Sequence, residues 1–257
     1  MDQAPSGPGQ PGDMSLFDHL IELRRRLTRA VIALGIGAVI GYFVFPYLLD
    51  LIMAPYCQIA DDLRPDDTCT LVALTPLEPF SVRLKTSFVI GVFIGGPVIF
   101  YQLWRFITPG LTTKERRYAL PFVAGSQVMF AIGILFAYVA IPFGLRTLLG
   151  FGGPGIEPLL SASEYLSFFL MLSIAFGLVF ELPRVLIFLA LVGVVSSASL
   201  RKVRPYAILT SVVAAAFITP TNDAITLLFM AGPMVAFYEL SIWVAWLIER
   251  SRRKAER

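Results

Sequence analysis

YQLWRFITPGLTTKERR, residues 101–117, is a short polar hinge between two long apolar runs, and its reading fixes how the rest of the chain is arranged. Glu115 is its single acid, set among Arg105, Lys114, Arg116 and Arg117. A lone carboxylate among cations at a membrane surface is either an internal ion-pair partner or a receptor for a cation from outside. On both sides of the hinge the chain is apolar. Of its 257 residues, 56% are hydrophobic and 15% charged, with a mean hydropathy of +0.74. A soluble domain averages roughly 45–50% apolar and about 25% charged residues. The composition is therefore that of an integral membrane protein. Spans of ~20 residues use up most of the length, which predicts one membrane domain over residues 15–249 with short loops.

Upstream of the hinge, residues 1–14 are rich in Pro, Gly and Gln, have nothing to bury, and are expected to be disordered. Leu16, Leu20, Leu23 and Leu27 then recur at spacings of four, three and four, the stripe of an amphipathic approach helix. The uncharged run 30–49 follows. It is longer than a secretory signal core and no small-residue cleavage site comes after it, so it is read as a first span that stays attached. Uncharged runs predict five more spans, at about 86–104, 118–143, 165–195, 205–219 and 224–248. The fifth span is short for a hydrocarbon core of ~30 Å, which points to local thinning of the bilayer. A basic tail, residues 250–257, closes the chain. Glycines at 35, 37 and 41 and at 91, 95 and 96 would let neighbouring helices approach closely. Pro97, Pro121, Pro142 and Pro183 predict bends within or at the ends of spans. The fold class expected is all-α: six transmembrane helices in a bent, concave bundle.

Lysine and arginine give the orientation. Sixteen of the 21 basic residues precede the first span, follow the last, or lie between spans two and three or four and five. Both termini and the 101–117 hinge are thereby expected in the cytoplasm. The longest connection on the opposite side, about 50–78, holds both cysteines, Cys57 and Cys69. A disulfide is permitted there if that side is a periplasm, and two unpaired thiols are the alternative.

The chain has one histidine, His19, outside any apolar run, which argues against a histidine-centred metal site or a Ser–His pair within the membrane. No phosphate-cradling glycine loop or Gly-x-Ser-x-Gly elbow is present. No catalytic residue, metal site or cofactor is assigned, and nothing points to nucleic acid. What remains is a set of carboxylates. Glu22 has Arg25 and Arg26 at i+3 and i+4, the pattern of an ordinary helix salt bridge worth a few tenths of a kcal/mol. Alternatively, Glu22 and Glu115, on one cytoplasmic surface, could each take a guanidinium of a visiting peptide through parallel hydrogen bonds. Glu181 lies deep in the fourth span with Arg184 one turn away, either as its ion-pair partner or as a polar group facing a water-filled cavity. Glu239 and Asp223 are weaker candidates, and Asp223 also suits a helix N-cap.

HLIELRRR (residues 19–26), the 101–117 hinge, FGLVFELP (residues 176–183), RKVRPY (residues 201–206) and the Thr219–Pro220 pair together resemble the TatC family, the multi-spanning subunit of the twin-arginine protein translocase. The resemblance runs from about residue 18 to 246. It implies a multi-pass protein of the bacterial cytoplasmic (inner) membrane that recognises signal peptides bearing an Arg–Arg pair on folded cargo. It also implies work with single-span subunits of the TatA and TatB type, driven by proton-motive force, and homo-oligomerisation within the complex. By the same resemblance Glu22 and Glu115 form the recognition site, supported by Arg24, Phe106, Pro109 and Leu111. Glu181 faces the concave side of the bundle as an intramembrane polar and partner site, with Asp223. Two local departures are Thr221–Asn222, apparently one residue longer than usual, and Leu227 where relatives often have glutamine. The physics suits the role, since paired arginines cannot shed their protons and need acids at the membrane surface. The rivals are a proton-coupled secondary transporter using Glu181 and an intramembrane enzyme, the latter opposed by the missing nucleophile–base pair.

Overall fold

The computed structural model describes residues 16–59, 69–107, 119–150, 160–218 and 224–255. The described chain is all-α. Its six helices are α1 (Leu16–Cys57), α2 (Glu78–Ile107), α3 (Ala119–Gly150), α4 (Ala162–Val192), α5 (Ser197–Ile218) and α6 (Ala224–Ala255). The approach helix and the first span are one continuous element of 42 residues. Its leucine stripe at Leu20, Leu23 and Leu27 is exposed rather than folded onto the bundle. α2 and α6 contain their predicted spans whole, and α6 runs on through most of the basic tail; α3, α4 and α5 fall one to three residues short of their predicted spans at one end and extend past them at the other.

Among the described residues, five helices are long and apolar enough to cross a membrane, and α5 is the exception. Arg201, Lys202 and Arg204 occupy its first turns. They leave a charge-free stretch of roughly 21 Å at 1.5 Å per residue, against a hydrocarbon core of ~30 Å.

In lipid, tails are as apolar as leucine, so helices associate through close packing rather than through escape from solvent. The glycines show where this happens. A Cβ on Gly37 would lie 2.7 Å from the Gly91 carbonyl oxygen, and one on Gly41 2.7 Å from that of Ser87. One on Gly91 would lie 2.6 Å from the Ala38 nitrogen, and one on Gly95 3.1 Å from the Ala33 carbonyl. These four join α1 to α2 backbone against backbone. Gly35 instead faces open space, and Gly96 faces Gln127 of α3. α4 is the central post, packed against α2, α3, α5 and α6. It buries Tyr165, Phe169, Phe176 and Phe180, and its Phe176 carbonyl comes within 2.5 Å of where a Gly133 side chain would begin.

The end of the bundle remote from the 101–117 hinge is tied by polar groups. Glu78, the buried first residue of α2, accepts hydrogen bonds from the backbone N–H groups of Leu74 (2.7 Å) and Ser163 (2.6 Å). The backbone N–H of Ala162 donates to the Val72 carbonyl, joining the loop before α2 to the start of α4. The Tyr165 hydroxyl donates to the Ile52 carbonyl (2.6 Å), and Arg146 donates to the Gln58 carbonyl (2.8 Å). Ser161 caps α4 reciprocally with Glu164, and Gly193, at φ +84°, ends it.

Cys57 and Cys69 are bridged, with their Cα atoms 5.4 Å apart, which settles the alternative left open by the sequence. Closing a loop of this size removes roughly 3 kcal/mol of chain entropy from the unfolded state. The C57S/C69S variant should therefore lose thermal stability in detergent by about that amount, read as a lowered melting midpoint in fluorescence-detected size-exclusion chromatography. An unchanged midpoint would show that the bridge holds nothing that the polar ties do not hold already.

Candidate functional site

At the hinge end, the N-terminal turns of α1 meet the C-terminal turns of α2. The His19 ring stacks on Phe106 with centroids 4.7 Å apart, so two helices separated by many residues in sequence present one surface. Glu22, one turn along α1 from His19, is partly exposed. Its Oε1 atom accepts from both Nε (3.0 Å) and Nη2 of Arg26. The expected helix salt bridge is therefore present, with the i+4 residue and not Arg25 as partner. Both donors fall on one carboxylate oxygen, Oε1.

Arg24 stands two residues from Glu22, about 200° around the helix. It is exposed and does not share the carboxylate's face; its backbone carbonyl accepts from the Thr28 hydroxyl. Arg105 reaches back to the Tyr101 hydroxyl at 3.4 Å. Pro109, Leu111 and Glu115 lie outside the described residues, as does Asp223.

Two residues before Phe106, α2 carries a buried residue that sequence reading did not single out. Trp104 is 2% exposed, with its ring 4.1 Å from that of Phe122 on α3 and 4.3 Å from that of Phe188 on α4. It locks the end of α2 to the two central helices. The signal available was its place: the one Trp within the polar hinge motif, where an interfacial anchor was the ordinary expectation.

Glu181 forms a second, separate locus in the body of α4. It is buried, and its Oε1 atom has no hydrogen-bond partner. Ser126 of α3 and Arg184 are the polar side chains near it. A charged side chain at the centre of a span costs roughly 2.5–3.5 kcal/mol, and pairing the two charges one turn apart is one of the two arrangements the sequence leaves open. The structure has another. Among the described residues the ion pairs run from Glu22 to Arg26 and from Glu239 to Arg204, and none joins Glu181 to Arg184. The Arg184 guanidinium donates instead to the Pro121 carbonyl (3.0 Å) and lies 4.4 Å over the Phe122 ring. Elsewhere among the described residues, Gln102 of α2 and Gln127 of α3 each bury a side-chain oxygen without a partner. Their signal in the sequence was uncharged polar residues facing inward in otherwise apolar runs. Glu239, a weaker candidate, ties α6 to Arg204 of α5.

Residues 18–233 match the family described as Sec-independent protein translocase protein (TatC). The Sec-independent protein translocase protein TatC of Frankia casuarinae is 42% identical over 243 residues, covering 92% of this chain and 67% of that protein. That of Aquifex aeolicus is 37% identical over 247 residues, covering 95% of this chain and all of its own length. A crystal structure of the twin-arginine translocase receptor TatC superposes with a TM-score of 0.78 at 38% identity, over 90% of this chain and 99% of that one. The chain belongs to the TatC family of Sec-independent protein translocase proteins.

Proposed function

We propose that this protein is the signal-peptide receptor of a twin-arginine translocase, binding the paired arginines of folded cargo between Glu22 and Glu115. It is an integral protein of the bacterial inner membrane, as its family is. In this reading all six helices cross the bilayer, α5 through a thinned region, and both termini are cytoplasmic. The protein acts with single-span subunits of the TatA and TatB type and with further copies of itself, in contact with lipid, and proton-motive force drives export. It binds and passes cargo rather than catalysing a reaction.

The observation that carries this is the way Glu22 is held. Its pair with Arg26 is a partly buried i,i+4 helix pair that uses one carboxylate oxygen, and such helix pairs are worth only about 0.2–0.5 kcal/mol. A charge-assisted, two-pronged bond to an incoming guanidinium contributes roughly 1.5–3 kcal/mol. The visitor wins that exchange. Lower down, an apolar hollow of about 370 Å³ between α1, α2, α3 and α4 supplies a groove for the peptide's apolar stretch, lined by Ile90, Phe93, Leu135 and Phe169 among others. On α1 the hollow begins at Leu48, roughly 39 Å along the helix from Glu22, a distance that about twelve extended residues span. Glu181 and Asp223 serve as the intramembrane residues for transport or partner contact. Family membership gives no support to a proton-coupled solute transporter built on Glu181.

E22A and E115A should each weaken binding of a twin-arginine peptide about thirtyfold or more while expression persists, since truncating one side of such a charge pair costs at least ~2 kcal/mol. Normal binding by the E22A/E115A double variant, measured by crosslinking or by titration of a labelled peptide, would overturn the assignment.

A further inference from the structure

We infer that Gly125 is a positioning residue for Glu181: by having no side chain, it lets α3 hold the Arg184 guanidinium away from the carboxylate and so keeps that carboxylate free. The inference rests on Glu181 being the intramembrane export locus, as proposed above.

Three features of α3 cradle the guanidinium. The Pro121 carbonyl accepts from Nη2 at 3.0 Å. The Phe122 ring lies beneath the guanidinium carbon at 4.4 Å, a cation–π contact that favours arginine over a rotating ammonium. The third side of the cradle is the bare Cα of Gly125. A Cβ there would fall on Nη1 and within 2.6 Å of the guanidinium carbon. Glu181, one turn back on α4, meanwhile keeps Oε1 without a hydrogen-bond partner, with Ser126 of α3 as a neutral polar side chain beside it.

The glycine is thus not explained by close approach of two backbones, as Gly37, Gly91 and Gly133 are. What a methyl group at 125 would strike is the tip of a long, flexible side chain. That tip moves at little cost, so Gly125→Ala folds and only the guanidinium is displaced. In an apolar span the group that receives a displaced cation is the unpaired acid one turn away. Neutralising Glu181 in this way removes the free acceptor that a polar group on a partner helix or on the passing chain would use.

Full-length protein in membranes provides the test, with two readouts. Carbodiimide labelling of Glu181, quantified by mass spectrometry of its peptide, reports whether the carboxyl is free of an ion pair, and export of a folded twin-arginine reporter reports function. Gly125→Ala should lower both about fivefold or more, the scale on which contacting groups couple. G125A/R184Q should restore both, and R184Q alone should behave as the parent protein. If G125A labels and exports like the parent, or if R184Q fails to rescue it, Gly125 does not act through Arg184 and the inference falls. Should E181Q export normally while G125A still loses labelling, the cradle stands and the export reading of Glu181 is what fails.

Discussion

Gly91→Leu is expected to leave little folded protein, with a loss of about 3 kcal/mol or more, the upper range for overpacking. A first side-chain carbon at this position would meet the Ala38 nitrogen at 2.6 Å, the Ala38 Cα at 2.9 Å and the Leu34 carbonyl at 3.0 Å. All three are backbone atoms of a continuous helix, so no rotamer change relieves the clash and α1 must lift off α2. Because lipid supplies no drive to hold apolar helices together, lost proximity is not recovered elsewhere. Gly35→Leu is the matched control, since a side chain there enters open space and should change nothing. The measurement is the yield and melting midpoint of the monodisperse peak in detergent; equal behaviour of the two variants would remove the α1–α2 crossing from the account.

Trp104→Ala should be nearly as damaging, at about 3–5 kcal/mol, the range for deleting a fully buried large aromatic. The loss comes from ring packing against Phe122 and Phe188, each such pair being worth roughly 0.5–1.5 kcal/mol beyond its area. The indole N–H has no hydrogen-bond partner, so its removal costs nothing in bonding. Trp104→Phe should accordingly retain most of the stability. Phe106 lies two residues further along α2, so W104A should also weaken twin-arginine peptide binding, and W104F should not. A W104F protein as unstable as W104A would refute packing as the cause.

Much of this arrangement can be read directly from the chain, and the reasons differ by element. Uncharged runs located all six helices because charge is so costly in lipid that it punctuates spans cleanly. The run was a poor guide to helix length. α2 begins at Glu78 because its carboxylate is bonded by backbone N–H groups from the preceding loop and from α4, which no local pattern announces. The start of α4 was legible, as Ser161 and Glu164 stand at capping-box spacing, yet the apolar run drew attention to Tyr165 instead. Glycine spacing anticipated the contacts of Gly37, Gly41, Gly91 and Gly95, but could not tell them from Gly35, because facing depends on the partner helix. Glu22 with Arg26 followed from spacing alone, helix geometry leaving few options. The separation of Glu181 from Arg184 did not, because it is decided by Phe122 and Gly125 on another helix.

The unbroken length of α1 has a mechanical corollary. Between Glu22 and the Gly37 contact with α2 there is no proline, so that stretch behaves as a stiff handle hinged inside the bilayer. With 1.5 Å per residue the handle is roughly 22 Å long, and rocking it by about 10° swings Glu22 sideways by roughly 4 Å. Force applied at the surface carboxylate is thereby delivered as rotation at mid-membrane depth.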